Sequence, residues 1–278
     1  MNPSDKFKTE EIVPLHRQGG DETIDSKAFL IDLDGVLYVD RTPIEGARET
    51  VAMLEEMGYR YRFVSNTTSK CRKSLSNFLD EMGFSIPEER IFTPAIAAAE
   101  RIRSERDNRC FLLTRPDVRK DFEEAGVPVA EEEADFVVVG DAETDFTFDR
   151  LNRAFRLVME GAEIVALEKD RYWMGADGLC LSAGPFVAAL EYATGTVAEV
   201  VGKPSPDFFE MALADLRALP EETAMIGDDI NTDVGGAQNA EMRGILVKTG
   251  KYREDLVEYS NVIPDLVLES ISELREHL

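Results

Sequence analysis

Short apolar runs alternate with longer amphipathic stretches from Lys27 to the C-terminus. Such alternation is typical of parallel strands joined by crossover helices, and it predicts an α/β fold. Four runs are apolar almost throughout, as expected of strands that are covered on both faces. They are AFLID (28–32), YRFVS (61–65), TAMIG (223–227) and GILVK (244–248). We expect these four strands to share one buried sheet.

Two stretches after the first and second strands have apolar residues at helical spacing and end at glycine, one at Gly58 and one near Gly83. They predict crossover helices. A second set of strand candidates follows, namely CFLL (110–113), DFVVV (135–139) and EIVAL (163–167). This set predicts a second α/β unit inserted into the first. The expected division is an N-terminal tail (1–26), a core (27–93 and 200–278) and an inserted domain (94–199).

Composition narrows the classes of function. The 55 acidic and 31 basic residues give a net charge of −24, which disfavours binding to nucleic acid or anionic membranes. No apolar run is long enough to span a bilayer, and the N-terminal stretch lacks the apolar core of a signal peptide. Cys71, Cys110 and Cys180 form no CxxC pair, which favours a reducing cytoplasm. We therefore expect a cytoplasmic protein with neither nucleic-acid nor membrane partners.

Candidate chemistry begins where the first predicted strand ends. The sequence has only two histidines, near opposite ends of the chain. It therefore disfavours a clustered histidine metal site or a histidine-based catalytic triad. In FLIDLDGVLYVD the strand ends at Asp32, and the chain turns through Asp34 and Gly35. Ligands bind at the carboxyl ends of strands in open α/β sheets, so both carboxylates could face one substrate. A DxDG sequence is also a common turn, and taken alone it leaves both interpretations open.

Two further segments place polar groups close to predicted strand ends or helix starts. In FVSNTTSK, Ser65 offers a hydroxyl and Asn66 and Thr67 offer backbone N–H groups, which suits an anion. A plain helix cap would use the same residues. In VVGKPSPDFF, Lys203 precedes a helix signal and can act as a fixed charge, although a lone lysine is more often a solvated surface residue.

Three aspartates, Asp228, Asp229 and Asp233, fall within six positions of AMIGDDINTDVGG. Their mutual repulsion is hard to tolerate unless a cation or solvent absorbs it. Carboxylate oxygens favour a hard cation, and the cluster therefore predicts Mg²⁺. A solvated acidic helix start is the alternative interpretation.

Taken in order, DLDGVLY, SNTT, GKPSP and GDDINTD resemble the four motifs of the haloacid dehalogenase superfamily. The long insertion between the second and third motifs resembles subfamily IIA, in which a cap domain sits at that point. The stretches ALEKDRYWMGADGLCLSAGPFVAALEYATG and GILVKTGKYR resemble the phospholysine phosphohistidine inorganic pyrophosphate phosphatase group. The resemblance implies a Rossmann-like parallel-sheet core with an inserted α/β cap, covering nearly everything from Lys27 onward.

The resemblance also implies a magnesium-dependent phosphatase that acts on a small phosphorylated substrate. Asp32 would attack phosphorus, and Asp34 would protonate the leaving group and then deprotonate the water that hydrolyses the aspartyl phosphate. Residue chemistry agrees, because an ionised carboxylate needs no activating base and Mg²⁺ offsets its repulsion from the phosphoryl group. The groups expected to hold the phosphoryl oxygens are those of Ser65, Asn66 and Lys203.

By the same resemblance, Mg²⁺ would be held by the carboxylates of Asp32 and Asp228 and the backbone carbonyl of Asp34. Asp233 would support it, and the part played by Asp229 stays open. Asp34 favours phosphatase chemistry, since dehalogenases proper lack it. Two alternatives remain: a phosphotransferase or mutase that passes the phosphoryl group to a hydroxyl, and a catalytically idle binding protein on this fold.

The segment KDRYWMGADGLCL (169–181) is expected to form a cap loop that closes over the site and helps to select the substrate. Arg171, Tyr172 and Trp173 supply a cation and aromatic faces. The alternative is that Tyr172 and Trp173 pack in the cap core and that Gly178 shapes a hairpin. The resemblance leaves the oligomeric state open, with a homodimer formed through the caps as one alternative. The residues expected to permit tight turns in the segment are Gly175, Asp177 and Gly178.

Overall fold

The strands of the structure are short and occur throughout the chain. The structure is a computed structural model that describes residues 24–106, 108–175 and 178–278. In chain order the strands are β1 (Ala28–Asp32), β2 (Tyr38–Val39), β3 (Thr42–Pro43), β4 (Arg60–Val64), β5 (Ile91–Phe92), β6 (Cys110–Leu113), β7 (Phe136–Val139), β8 (Glu163–Ala166), β9 (Tyr172–Gly175), β10 (Gly178–Leu181), β11 (Glu199–Val200), β12 (Thr223–Gly227), β13 (Arg243–Val247) and β14 (Leu266–Leu268).

Helices connect most of the parallel strands. They are α1 (Ala47–Glu56), α2 (Arg72–Glu81), α3 (Pro94–Arg103), α4 (Arg119–Glu124), α5 (Phe148–Met159), α6 (Gly184–Thr194), α7 (Pro206–Leu216), α8 (Gly236–Asn239) and α9 (Glu254–Tyr259). A π-helical turn spans Ile230–Gly235 and leads into α8. Shorter 3-10 turns lie at Glu88–Arg90, Pro116–Val118, Glu143–Asp145, Pro220–Glu222 and Ile271–His277.

A six-stranded parallel sheet forms the core, in the order β14-β13-β12-β1-β4-β5. It contains all four strands predicted to share a buried sheet. The predicted bounds 28–32 and 223–227 match β1 and β12, whereas β4 and β13 begin and end one residue earlier than predicted. The two predicted crossover helices are α1 and α2. The predicted α/β class is therefore confirmed.

Burial of both sheet faces explains the continuous apolar runs. All five residues of β1 are buried. Phe29 and Ile31 pack into one hydrophobic cluster with α1 and α2, while Ala28 and Leu30 pack into another with α3 and α7. Because successive side chains of a strand point to opposite faces, a strand with helices on both sides has to be apolar at every position.

A second parallel sheet of four strands, in the order β11-β8-β7-β6, forms the cap. In β11, Val200 pairs with Ala166, so this sheet extends one residue beyond the expected end of the insertion at 199. The hydrophobic cluster that covers one face of the core sheet continues into the cap, where it includes Val138 and Phe122. The cap and core are also joined by a hydrogen bond of 2.9 Å from the backbone N–H of Asp141 to Thr68 Oγ1.

The segment expected to form a cap loop is a β-hairpin of β9 and β10, so the loop prediction is wrong. Tyr172 pairs with Leu181 and Trp173 with Cys180 in antiparallel register. Aromatic and apolar residues in both segments favour paired strands over an irregular loop. The side chains of Tyr172 and Trp173 are 57% and 46% exposed, which excludes their burial in the cap core. Asp177 lies outside the described residues.

The N-terminal part of the described chain packs on the core. Most of the expected tail, positions 1–23, lies outside the described residues. Ser26 is buried, and the backbone N–H of Ile24 donates a hydrogen bond of 2.6 Å to the carbonyl of His277. Among the helices in the described ranges, none has both the length and the apolar character needed to cross a bilayer.

Candidate active site

The carboxyl edge of the core sheet brings the predicted site residues together. Asp32 is the last residue of β1, Ser65 directly follows β4, and Asp228 directly follows β12. Because β12, β1 and β4 are adjacent and parallel, their carboxyl ends meet at one edge of the sheet. Lys203 reaches the same place from the loop between β11 and α7. The structure thus joins motifs that are far apart in sequence.

Lys203 forms the centre of the site. Its side chain is almost fully buried, and Nζ donates hydrogen bonds of 2.8 Å to Asp32 Oδ1 and 2.7 Å to Asp233 Oδ1. Burial by itself would lower the pKa of Lys203, but the two carboxylates outweigh it and raise this pKa above its usual value. The ammonium group is therefore a permanent charge in the site.

The Asn66 side chain is bound to the backbone of Lys203. Its Oδ1 accepts a hydrogen bond of 2.9 Å from the Lys203 N–H, and its Nδ2 donates one of 2.9 Å to the Lys203 carbonyl. The side-chain amide of Asn66 is thus engaged by Lys203, and its backbone N–H remains the group that suits an anion, as predicted from the sequence. The Ser65 hydroxyl accepts from the Thr67 N–H at 3.1 Å and keeps its own proton to donate.

Three buried carboxylates, those of Asp32, Asp228 and Asp233, form an acidic cluster. One oxygen of each lies within 4.8 Å of the others. Burial, followed by the charges of Asp32 and Asp233, raises the pKa of Asp228. Asp228 Oδ2 accepts a hydrogen bond of 2.6 Å from the Lys251 N–H. The other oxygen of Asp228, Oδ1, is buried and has no hydrogen-bond partner among the described residues. A buried carboxylate oxygen without a donor is costly, and a hard cation such as Mg²⁺ fits this donor set.

Two glycines allow the backbone to close around the carboxylate of Asp228. Gly35 and Gly250 both have positive φ, at +84° and +62°. A Cβ atom added at either position would overlap Asp228 Oδ2. The Thr249 hydroxyl donates to the carbonyl of Gly35 and joins the two loops. Both positions therefore require glycine, for conformation as well as for space.

Asp34 and Asp229 occupy different environments from the buried cluster. Asp34 is exposed at the site. The protein around its carboxyl group still excludes part of the water, which raises the pKa of Asp34, and this effect outweighs the charge of Lys251, which lowers it. Asp229 Oδ1 accepts hydrogen bonds of 2.9 Å from the N–H groups of Asn231 and Thr232. It caps the π-helical turn, while Asp233 occupies the third place in the acidic cluster.

Lys251 was missed by the sequence-based interpretation. Its backbone binds Asp228, and its ammonium group acts by charge on Asp32 and Asp228. Burial lowers the pKa of Lys251, but these carboxylates outweigh it and raise the pKa. The signal was present in GILVKTGKYR, because Lys251 lies four positions after the end of β13 at the same edge of the sheet.

The structure places Arg171, Tyr172 and Trp173 in the cap hairpin or directly before it. All three are exposed. Within the described ranges, none of them makes a hydrogen bond or ion pair with the acidic cluster.

Two protein-family models match the chain. One, described as haloacid dehalogenase-like hydrolase, covers residues 29–128, and the other, described as HAD-hydrolase-like, covers 200–274. Haloacid dehalogenase-like hydrolase domain-containing protein 2 of Bos taurus is 44% identical over 252 residues, covering 91% of this chain and 95% of that protein. The Homo sapiens phospholysine phosphohistidine inorganic pyrophosphate phosphatase is 38% identical over 253 residues, covering 89% and 92%.

Solved structures agree with these relationships. The p-nitrophenyl phosphatase from Archaeoglobus fulgidus matches with a TM-score of 0.86 and 29% identity, over 92% of this chain and 100% of that one. The resemblance drawn from the four motifs is confirmed, as is a parallel-sheet core with an inserted cap. The chain belongs to the haloacid dehalogenase superfamily and is a phosphatase of subfamily IIA.

Proposed function

We propose that this phosphatase depends on Mg²⁺ and hydrolyses a small phosphorylated compound through an aspartyl phosphate on Asp32. The buried acidic cluster carries the proposal. Three carboxylates lie together, Lys203 binds two of them, and one oxygen of the third, Asp228, has no hydrogen-bond partner among the described residues. A bound Mg²⁺ would balance the excess charge and reduce the repulsion between Asp32 and the phosphoryl group.

Asp32 and its neighbours account for the attack on phosphorus. Lys203 holds one oxygen of Asp32, which fixes the carboxylate and leaves its other oxygen for attack. The Lys203 ammonium, the Ser65 hydroxyl and the backbone N–H of Asn66 would bind the phosphoryl oxygens, whose charge spreads in the transition state. These groups position and stabilise the transferring phosphoryl group without taking part in bond formation.

Asp34 would act first as the general acid and then as the general base. Its raised pKa favours a carboxyl group that can donate to the departing oxygen, and its exposed position gives access to water. After the leaving group departs, the Asp34 carboxylate would take a proton from the water that attacks the aspartyl phosphate. Asp32 is regenerated when inorganic phosphate leaves.

The metal ligands we propose are the carboxylates of Asp32 and Asp228 and the backbone carbonyl of Asp34. Asp233 would contribute charge without a direct bond, because its two oxygens already accept from Lys203 and from the Asp229 N–H. Asp229 remains a helix cap under this proposal.

The decisive experiment measures phosphate release from p-nitrophenyl phosphate with Mg²⁺ and with a chelator. Asp32→Asn is nearly isosteric but cannot attack phosphorus, so we expect turnover to disappear while the fold is retained. Asp265→Asn is the matched control, because it removes a carboxylate that accepts a hydrogen bond at the opposite end of the sheet, from the Gly244 N–H near the start of β13. Substantial hydrolysis by Asp32→Asn, or full activity in chelator, would refute the proposal.

An acceptor alcohol distinguishes hydrolysis from phosphoryl transfer. If water is the acceptor, phosphate and p-nitrophenol form in equal amounts whether or not the alcohol is present. A large excess of p-nitrophenol over phosphate in the alcohol would assign the chain to the phosphotransferases instead.

We also propose that Arg171, Tyr172 and Trp173 contact the leaving group, since their exposed side chains belong to the cap segment that directly follows Asp170. Arg171→Ala and Trp173→Ala should then change the relative kcat/KM among substrates and spare Mg²⁺ affinity and melting temperature. A uniform loss for all substrates with a lower melting temperature would assign these residues to cap packing.

A further inference from the structure

The loop that carries Ser65 and Asn66 continues directly into helix α2. Ser65 follows the end of β4, α2 begins at Arg72, and residues 65–71 between them form neither helix nor strand. We call residues 65–71 the SNTT loop. Because no regular secondary structure fixes its backbone, its conformation depends on contacts with neighbouring parts of the protein.

The core holds the first half of the SNTT loop. The Ser65 N–H donates a hydrogen bond of 3.2 Å to the carbonyl of Phe92 in β5, and the Asn66 side chain is bound to the backbone of Lys203. The Ser65 hydroxyl depends on the next part of the loop, since it accepts a hydrogen bond of 3.1 Å from the Thr67 N–H. The direction in which Ser65 donates its own proton is therefore set by the position of Thr67.

The cap holds the residue that follows, Thr68. This residue is buried, and its Oγ1 accepts the hydrogen bond of 2.9 Å from the Asp141 N–H. Gly140 lies against the same side chain, because a Cβ atom added there would be only 3.2 Å from Thr68 Cβ. The Arg115 guanidinium binds the Asp141 carboxylate, and the Arg115 N–H donates to the Asp141 carbonyl, which fixes the donor within the cap.

Two cap carboxylates hold the other end of the SNTT loop, where α2 begins. Asp117 Oδ2 accepts a hydrogen bond of 2.9 Å from the Cys71 N–H, and Asp121 accepts from the Arg72 N–H at 3.1 and 3.3 Å. The first N–H groups of a helix have no partner within the helix. The helix itself offers only a weak sulfur acceptor, Cys71 Sγ, at 3.4 Å from the Ser74 N–H. The cap therefore supplies acceptors that α2 lacks.

Thr67 thus lies between a core contact at Asn66 and a cap contact at Thr68. If the cap contact is lost, Thr67 is less restrained, and the Ser65 hydroxyl that it binds loses its fixed direction. Groups that stabilise a transferring phosphoryl group act through their exact placement, because charge develops on its oxygens in the transition state. A loosened SNTT loop should therefore affect the transition state more than the bound substrate.

We propose, on the basis of the proposed function, that Thr68 and Asp117 are positioning residues through which the cap holds the SNTT loop in its phosphoryl-binding conformation. They act on the substrate only through Ser65 and Asn66. The cap then contributes to the phosphoryl site itself, in addition to any contact that it makes with the leaving group.

The main experiment compares Thr68→Val with Thr68→Ser in the hydrolysis of p-nitrophenyl phosphate. Valine keeps the shape of the side chain but cannot accept from the Asp141 N–H, whereas serine keeps the hydroxyl. We expect Thr68→Val to lower kcat about tenfold and to change KM and the Mg²⁺ requirement less than about threefold. Thr68→Ser should recover most of kcat. The control is Thr223→Val, which removes a buried hydroxyl that donates to the Leu219 carbonyl at 2.8 Å, at the opposite edge of the core sheet.

Asp117→Ala tests the second cap contact and decides the question if Thr68→Val does not fold. It removes the acceptor of the Cys71 N–H from a side chain that is partly exposed, and kcat should fall about fivefold or more with the Mg²⁺ requirement unchanged. Lys120→Ala is its matched control. Lys120 Nζ donates to Asp117 Oδ1 at 2.6 Å, so its loss leaves the contact between Oδ2 and Cys71 in place and should leave kcat unchanged.

The outcomes separate this inference from the proposed function. If the wild type releases no phosphate from p-nitrophenyl phosphate, the proposed function fails. If the wild type is active and a folded Thr68→Val or Asp117→Ala variant keeps its kcat, the role of that residue is refuted. A fall in kcat that the two controls share, or that serine does not reverse at position 68, also refutes the inference. A fall confined to Thr68→Val and Asp117→Ala, with KM and the Mg²⁺ requirement preserved, supports it.

Discussion

Asn66 and Lys203 are 137 positions apart, yet the Asn66 amide exchanges two hydrogen bonds of 2.9 Å with the Lys203 backbone. Asn66, from the motif SNTT, thereby fixes the backbone of Lys203, which is the positively charged residue of the motif GKPSP. Lys203 is in turn held by Asp32 and Asp233 through its ammonium group. Its backbone and side chain are therefore positioned independently, by different parts of the core.

The first prediction concerns Asn66→Ala. The variant loses both hydrogen bonds to Lys203, and we expect kcat to fall about 10- to 100-fold because the charge is less well placed. We also expect the free energy of unfolding to fall by about 1 to 3 kcal/mol. Gln238→Ala is the control, since the Gln238 amide also donates to a backbone carbonyl, that of Ile263, but away from the site. Equal kcat losses in the two variants would contradict the role given to Asn66.

The second prediction concerns Asp228→Asn in the absence of metal. Burial and the neighbouring carboxylates disfavour ionised Asp228, so removing its charge should stabilise the chelator-treated protein at pH 8 by about 1 to 3 kcal/mol. The amide oxygen introduced by the substitution would still accept from the Lys251 N–H. Thermal unfolding with and without Mg²⁺ should show that the wild type gains stability from the metal and the variant gains little. Asp229→Asn, which alters only a helix cap, should keep the Mg²⁺ response; if it does not, the assignment of the cluster is wrong.

The strands of the core could be predicted closely because each signal is local. A strand such as β1 packs Phe29 against one set of helices and Leu30 against another, so every position has to be apolar. The motifs follow from the same topology, since adjacent parallel strands end at one edge of the sheet. Continuous apolar runs followed by polar residues were therefore sufficient to bring Asp32 and Asp228 together.

Contacts that depend on tertiary packing could not be predicted. The hydrogen bonds of Asn66 with Lys203 require the cap insertion to return the chain to the core at one position. The position of Lys251 shortly after β13 places it at this edge of the sheet, but only the fold of its loop brings its backbone to Asp228. For the segment that holds β9 and β10, the sequence left a loop and a hairpin both open, because two glycines in a short segment suit either structure.

The third prediction concerns association through the cap, where the hairpin exposes apolar side chains. Leu179 and Leu181 are 66% and 64% exposed, and Tyr172 lies directly opposite Leu181. If two caps pair through this surface, wild-type protein should sediment as a dimer and the double variant Leu179→Ser, Leu181→Ser as a monomer. Leu219→Ser changes an exposed leucine of the core and should leave the dimer intact. A monomeric wild type would contradict the prediction.

The last prediction concerns Asp121, a cap residue that is only 1% exposed and lies beside the first turn of α2. Its carboxylate accepts hydrogen bonds from the Arg72 N–H at 3.1 and 3.3 Å. Burial raises the pKa of Asp121 to about 6, so the folded state holds this proton at pH values where the unfolded chain has lost it. Its contribution to stability is therefore present below about pH 4 and is lost as the pH rises through about 6.

Asp121→Asn should thus leave stability nearly unchanged at pH 4 and raise it by about 1 to 3 kcal/mol at pH 8, measured by denaturant unfolding at each pH. Asp117 provides a control of opposite sign. Burial opposes its ionisation, but Lys120 and the Cys71 N–H outweigh this and lower the pKa of Asp117 to about 2. Its ionised form stabilises the fold above about pH 4, so Asp117→Asn should destabilise the protein equally at pH 5 and pH 8. If Asp121→Asn were equally destabilising at both pH values, its carboxylate would be a stabilising helix cap and not a buried charge that the fold tolerates.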